Sequence, residues 1–244
     1  MRYKVTVAYD GNNYAGFQSQ INALAIQDVI ESCIEKIFKE KIRIIMSSRT
    51  DAGVHAKGQV FHFDSPIIKE DLEKLRYSFN CLLPKDIHIN KIEKVSENFH
   101  ARFSVKEKTY EYIINDGEYD VFLNGYAYQC HYNLDLDLMK KGAALLLGEH
   151  DFTSFNTSSL KEYPNQVRTI SKFEIKRTKG LIVIRVTASG FLRNMVRIMV
   201  GTLIDLARGQ KDIKEVKNML DHPSKATRRY NADPAGLYLI NIKY

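Results

Sequence analysis

Strand and helix periodicities alternate along this chain in an order that few folds allow. In the first part of the sequence, apolar residues recur at every second position in strand-like segments and at three- and four-residue steps in helix-like ones. The order is strand, helix, strand, strand, helix, strand, over residues 3–9, 26–38, 42–46, 59–64, 72–82 and 86–95. This β-α-β-β-α-β order predicts a ferredoxin-like half, in which two helices pack on an antiparallel sheet.

The second part of the sequence repeats that order with one additional helix. Strand patterns cover 101–115, 170–177, 181–188 and 236–244, and helical patterns cover 135–147, 191–207 and 213–220. We therefore predict an α+β fold of two ferredoxin-like βαββαβ halves, residues 1–98 and 99–244, joined into one mixed, mainly antiparallel sheet. A cleft between the halves would be the natural place for a site. Two long loops, 116–133 and 150–168, belong to the second half.

Charge indicates the kind of partner. The chain has 36 Lys and Arg against 29 Asp and Glu, a net charge of +7, and 44% of its residues are hydrophobic, which excludes a disordered chain. An excess of this size is typical of a protein that binds a polyanion, although a solvated basic surface explains it equally well.

Other classes of protein find little support. The three cysteines, Cys33, Cys81 and Cys130, are far apart and form no CxxC, so neither a disulfide framework nor a cysteine zinc site is expected. The first residues lack the apolar core of a signal peptide, and no apolar run is long enough to span a membrane. We expect a cytoplasmic protein without a membrane partner.

The ten residues 47–56 form the first candidate for chemistry. They connect two predicted strands, and Asp51 is their single carboxylate, beside Arg49 and Gly53. An aspartate in a turn usually bonds only to nearby backbone N–H groups. The sequence also lacks the motifs of serine hydrolases, P-loop proteins, dinucleotide-binding folds, zinc proteases and deaminases. Asp51 is therefore the best candidate for a catalytic nucleophile or base.

A second candidate is an arginine within an apolar helix. Residues 191–201 read as a mostly buried helix in which Arg193 and Arg197 share one face. The Arg197 guanidinium must reach solvent along its stem or pair with a carboxylate. The partner is either a structural acid such as Asp205 or, if Arg197 crosses the cleft, Asp51.

A third candidate is Tyr110, in the strand-like run 108–114. Tyr110 and Tyr112 are two apart and point to the same strand face. Core packing with the hydroxyl at the rim is one interpretation. The other is a ring that stacks on a nucleobase that has left its helix.

Several longer motifs carry a resemblance that spans nearly the whole chain. In order, they lie at residues 9–11, 16–18, 49–56, 101–104, 108–112, 148–152, 167–170, 190–197, 200–203 and 236–239. In these motifs the sequence resembles the TruA family of tRNA pseudouridine synthases. The resemblance implies the pseudouridine synthase fold, a homodimer, no cofactor and no metal. It also implies isomerisation of uridine to pseudouridine in the anticodon stem-loop of tRNA, at nucleotides 38, 39 and 40.

The same resemblance implies roles for individual residues. Asp51 matches the catalytic aspartate, and Arg49 matches a residue that helps to swing out the target base. Tyr110 matches the ring that packs on that base, Arg197 the partner of the aspartate, and Leu237 an apolar wall of the pocket. Whether Asp51 attacks C1′, attacks C6 or removes a proton from C2′ stays open.

The RNA surface and the exact RNA are less constrained. We expect substrate contacts from Arg168 and Arg193, and further basic residues of that surface are Lys161, Arg102, Arg43 and Lys57. Residues 226–235 are bulkier and more basic than the small-residue run that the family has there. This departure leaves one alternative, a synthase of the same family that acts on ribosomal RNA. The net charge and the exposed tyrosines leave another, a non-catalytic RNA-binding protein.

Overall fold

The alternating patterns become ten strands and five helices in the computed structural model, which describes residues 1–244. The first part contains β1 (Arg2–Tyr9), α1 (Ile26–Phe38), β2 (Ile45–Met46), β3 (His55–Asp64), α2 (Leu72–Leu82) and β4 (Ile87–Val95). The remainder contains β5 (Glu107–Asn115), β6 (Tyr128–Gln129), α3 (Leu136–Leu145), β7 (Gly148–Asp151), β8 (Val167–Thr178), β9 (Leu181–Ala188), α4 (Met195–Ala207), α5 (Ile213–Asp221) and β10 (Leu237–Lys243). Three short 3-10 helices occupy Val121–Leu123, Thr153–Phe155 and Pro234–Gly236.

Packing divides the chain into two units. The first unit holds residues 1–106 together with 238–244, and the second holds 107–237. The division predicted from element order, at residues 98 and 99, differs from this one because β10 hydrogen-bonds in parallel to β3 and so packs with the first unit.

The first unit is a mixed sheet in the order β4-β1-β3-β10, with β2 paired to β3. Strand β1 is antiparallel to both of its neighbours. Its alternate residues are buried under α1, as the period of two predicts. The Tyr3 ring stacks on Phe63 at 5.1 Å between centroids, and Phe38 of α1 meets Phe63 edge-on at 5.5 Å. This aromatic cluster fixes α1 on the sheet.

The second unit is a sheet in the order β5-β9-β8-β7, with β6 parallel to β5. The buried residues of β9, among them Ile182, Ile184 and Val186, share a face with the buried tyrosines of β5. Helix α4 is buried along nearly its whole length. A helix that is apolar on all sides forms the interior of its unit rather than a surface layer.

The structure confirms the α+β class and the mainly antiparallel, mixed strand pairing. Helices α1 and α2 have the bounds that the sequence predicts. The helix predicted over 191–207 is wrong at its start, because α4 begins at Met195. Asn194 before it has φ 59°, a left-handed conformation that interrupts helical backbone. Arg193 therefore lies outside the helix, and the prediction that it shares a helix face with Arg197 is wrong.

None of the five helices combines the length and the apolar character that crossing a membrane requires.

Candidate active site

The residues predicted to form the site divide between the two units. Arg49 and Asp51 lie in the loop that joins β2 to β3 in the first unit. Tyr110 of β5, Arg197 of α4 and Leu237 belong to the second unit. The pairing of Arg197 with Asp51 stays a prediction.

Residues near the start of the chain make the contacts that hold the loop around Asp51 in place. The Tyr9 hydroxyl lies 2.8 Å from Thr50 Oγ1 in a buried contact, and the Phe17 amide donates to the Thr50 carbonyl at 3.2 Å. Gly16 has φ +95°, and a Cβ there would lie 2.5 Å from the Thr50 carbonyl oxygen. The motifs at 9–11 and 16–18 thus serve to hold the residue before Asp51.

The far side of the loop is fixed by a buried histidine. His55 Nδ1 lies 3.1 Å from the Gly11 amide nitrogen and 3.2 Å from an Asp10 carboxylate oxygen. Its ring stacks on Tyr238 at 4.7 Å between centroids. These contacts make His55 a structural support of the loop that carries Asp51.

Asp51 itself takes part in a tight turn through its backbone. Its carbonyl oxygen accepts the Val54 N–H at 3.2 Å, and Gly53 supplies φ +75°. The side chain of Asp51 is half-buried, while Arg49 is exposed. A rigid loop that presents one carboxylate suits nucleophilic or base chemistry.

Arg197 is fixed by neutral acceptors. Among its contacts, Nε donates to the Ala232 carbonyl at 2.7 Å, and Nη1 lies 3.5 Å from Asn194 Oδ1. Asp205, the structural partner that the sequence offered, has Lys211, Arg208 and Arg228 as its cationic neighbours, while burial raises its pKa. These two acceptors orient the guanidinium.

The two tyrosines of β5 have different surroundings. Tyr110 is buried and meets Phe191 at 5.2 Å, with the rings nearly perpendicular. The Tyr112 hydroxyl donates to the Asp233 carbonyl at 2.7 Å, and burial raises the Tyr112 pKa well above its usual range. Leu237 is buried one residue after Gly236, where a Cβ would lie 2.9 Å from the Tyr112 ring.

Residues 224–235, here called the strap, include the segment 226–235 that the resemblance places at the border of the pocket, although no individual residue of it is predicted to form the site. Carbonyls of the strap hold Arg197 and Tyr112. The basic side chains of Lys225 and Arg229 are bonded inside the second unit. The one signal in the sequence was the departure of 226–235 from the family pattern. The structure shows what one of these basic residues does: the guanidinium of Arg229 donates to backbone carbonyls.

The predicted RNA-contacting residues are mostly on the surface. Arg193, Lys161 and Arg102 are exposed. Arg168 is half-buried, donates to the carbonyls of Asn165 and Val167, and has its pKa lowered by burial. The remaining two have protein contacts, since Arg43 pairs with Glu31 at 3.1 Å and Lys57 lies 5.2 Å from the Tyr238 ring centroid. No group of three or more His, Cys, Asp or Glu side chains is placed to hold a metal ion.

Comparison with known proteins gives consistent matches. The family model described as tRNA pseudouridine synthase matches residues 5–104 and 143–244. The chain is similar to tRNA pseudouridine synthase A of Anoxybacillus flavithermus, at 40% identity over 100% of this chain and 98% of the relative. The proteins of that name from Thermosipho africanus and Bacillus subtilis are 39% and 41% identical, each over 100% of this chain and 99% of the relative. On these matches, and on the motifs that build the Asp51 loop, the chain belongs to the tRNA pseudouridine synthase family.

Proposed function

We propose that this chain converts uridine to pseudouridine in the anticodon stem-loop of tRNA, at nucleotides 38, 39 and 40, with Asp51 as the catalytic carboxylate. Family membership supports the isomerase activity and tRNA as its substrate. The observation that carries the assignment of Asp51 is the rigid support of its loop by Tyr9, Phe17 and His55.

The reaction exchanges one bond for another. The bond between C1′ and N1 of the uridine breaks, the uracil turns, C1′ bonds to C5, the proton leaves C5 and N1 gains a proton. Attack at C1′, attack at C6 and proton removal from C2′ all begin with an ionised carboxylate. An arginine within about 4–6 Å favours that ionised form, and Arg197 is the residue that we assign to this task.

The target base must leave its stack before the carboxylate reaches it. Arg49 is exposed beside Asp51 and is our candidate for the group that takes the place of the departing base. Tyr110 and the apolar Leu237 would then line the pocket for the uracil. Burial of both side chains supports a pocket wall that excludes water during the reaction.

The oligomeric state and the cellular location of the protein are proposed as well. We expect a homodimer that acts in the cytoplasm and uses no cofactor. The net charge of +7 supports an RNA-binding surface, held to phosphates by residues such as Arg168 and Arg193.

The test is pseudouridine formation on unmodified tRNA transcripts, with Asp51→Asn beside the native protein. We expect product in the anticodon arm from the native protein and none from the variant, which should still bind RNA. Asp221→Asn is a control that removes the same charge from an exposed residue of α5. Product at the native rate from Asp51→Asn would refute the assignment, and ribosomal RNA transcripts in the same assay test the alternative substrate.

Arg197→Met tests the predicted partner. If Arg197 is the partner of Asp51, the variant should lose at least about 100-fold in kcat, because the catalytic carboxylate loses the charged group that stabilises and orients it. Its dissociation constant for RNA should stay within about twofold, because the guanidinium contacts no phosphate in this proposal. Native activity in Arg197→Met would show that Arg197 has only a structural role.

A further inference from the structure

We propose that Arg229 is a positioning residue, which fixes the position of the Arg197 guanidinium through the strap, residues 224–235. This inference rests on the proposed role of Arg197. The strap is anchored at one end, confined in the middle and bonded to the candidate site at the other end.

The anchored end is a network of two cations and buried neutral groups. The Arg229 guanidinium donates to the carbonyls of Asn156 and Lys225, and its Nε donates to the Thr227 carbonyl at 3.2 Å. The Lys225 ammonium lies 2.8 Å from Asn156 Oδ1 and 3.1 Å from Gln166 Oε1. Asn156 is fully buried, so this end of the strap is tied to the interior of its unit.

An arginine is the side chain that this anchor requires. Its planar fork reaches carbonyls in several directions at once, and it keeps its charge when partly buried. A lysine carries the same charge but cannot reproduce the fork. Hydrogen bonds from a charged donor are stronger than those between neutral groups, which suits an anchor.

The middle of the strap is confined by helix α4. A Cβ at Gly201 would lie 2.0 Å from the Tyr230 carbonyl oxygen, so the backbone of the strap rests directly on the helix. The Tyr230 hydroxyl also lies 3.1 Å from that of Tyr128. The strap therefore has little freedom to move toward the helix or sideways.

The other end of the strap acts on the candidate site through consecutive carbonyls. Ala232 accepts from Arg197 Nε at 2.7 Å and donates its own N–H to the Arg197 carbonyl at 3.2 Å. Asp233 accepts from the Tyr112 hydroxyl at 2.7 Å. A shift of the strap thus moves the acceptors of both side chains. Displacing a catalytic partner by about 1 Å costs up to about 100-fold in rate.

The neighbouring arginine provides a matched control. Arg228 is exposed, and its charge lies near Asp205. Arg229→Gln and Arg228→Gln remove the same charge at adjacent positions, so a difference between them reports the anchor and not the net charge.

The first measurement is steady-state kinetics on a tRNA transcript. We expect Arg229→Gln to lower kcat by about 10- to 100-fold with KM for RNA within about twofold. Arg228→Gln should leave kcat unchanged. Arg229→Lys should resemble Arg229→Gln, because it keeps the charge and loses the fork.

Two results would overturn the proposal. An increase in KM with unchanged kcat, together with a salt dependence of RNA binding that is weaker by about one ion, would make Arg229 a phosphate contact. A native kcat in Arg229→Gln would leave Arg229 a purely structural residue.

Hydrogen exchange separates this inference from the proposed function. Arg229→Gln, but not Arg228→Gln, should speed amide exchange in peptides that contain 225–235 and 194–198, whether or not the enzyme turns over. If the native protein forms no pseudouridine but the exchange result holds, the proposed function is refuted, while the anchoring of the strap by Arg229 is supported. If the native protein is active but Arg229→Gln leaves amide exchange unchanged, only the anchoring role of Arg229 is refuted.

Discussion

At the scale of single residues, Gly16 shows how the sequence builds the Asp51 loop. Its φ of +95° is a conformation that residues with a side chain rarely adopt. The Thr50 carbonyl also occupies the space that its Cβ would need. Two independent constraints, backbone angle and contact, thus require glycine at this position.

Gly16→Ala should separate these two constraints when it is compared with Gly180→Ala. Gly180 has φ +81° and open space around it, so alanine there should cost only about 1 kcal/mol of strain. Gly16→Ala adds the clash with Thr50 and should cost about 3 kcal/mol, with a loss of activity. Urea unfolding with both variants measures the difference, and equal destabilisation would show that the contact at Thr50 relaxes freely.

The loop around Asp51 could be found from the sequence because its ten residues are consecutive. The supports of the loop could not, because they depend on residues far apart in the chain. His55 stacks on Tyr238, and no periodicity relates these two positions. The strap was missed for the same reason, since Arg229 bonds to Asn156 across the second unit.

At the scale of elements, amphipathic helices are the part that the sequence predicts best. The apolar residues of α1 and α2 recur at helical spacing and lie on one buried face. Strands β6 and β7 have two and four residues, too few to show a period. The start of α4 was misplaced because apolar residues continue through 191 and 192, ahead of the turn at Asn194.

Gly201→Ala should test the contact between α4 and the strap. In a helix, alanine normally stabilises by about 1 kcal/mol relative to glycine. Here the Cβ would meet the Tyr230 backbone, so we expect destabilisation and lower activity. Gly142→Ala in α3 is the control, since its Cβ would meet only the ends of the Leu203 and Leu206 side chains, which can shift. Thermal unfolding compares them, and a stabilised Gly201→Ala protein would contradict the close packing of the strap.

At the scale of the whole molecule, the excess of basic residues should govern RNA affinity. We expect binding of an anticodon stem-loop to weaken by at least about tenfold between roughly 50 and 200 mM salt, as phosphate contacts predict. The slope should be the same for Asp51→Asn, because the proposed role of this carboxylate is at the target nucleoside and not at a phosphate. Fluorescence anisotropy measures both, and affinity that does not depend on salt would exclude a phosphate-binding surface.

Acid should weaken the folded state through His62. This residue is buried, its Nδ1 accepts the Ala101 N–H at 3.1 Å, and burial, with the charge of Arg2 next, lowers its pKa from 6.5 to about 4. The folded protein thus binds this proton less readily than the unfolded chain. The stability that follows is complete above pH 6.5 and is lost as the pH falls toward 4.

His62→Asn keeps an acceptor for Ala101 but does not titrate. The free energy of unfolding should therefore fall less steeply between these pH values in the variant, by on the order of 2 kcal/mol, which urea titrations at several pH values would measure. Parallel pH profiles for the two proteins would show that other groups cause the acid sensitivity.

The position of β10 has a consequence for how the protein is made. Residues 238–244 complete the sheet of the first unit, yet the ribosome adds them only after all of 107–237. Until then the β3 edge that pairs with Tyr238 and Leu239 has no partner strand, and open strand edges invite association with other chains. His55, beside the catalytic loop, also lacks the ring on which it stacks. The nascent chain thus completes the sheet of its first unit only after the whole second unit has been made, and the Asp51 loop gains the support of Tyr238 at that point.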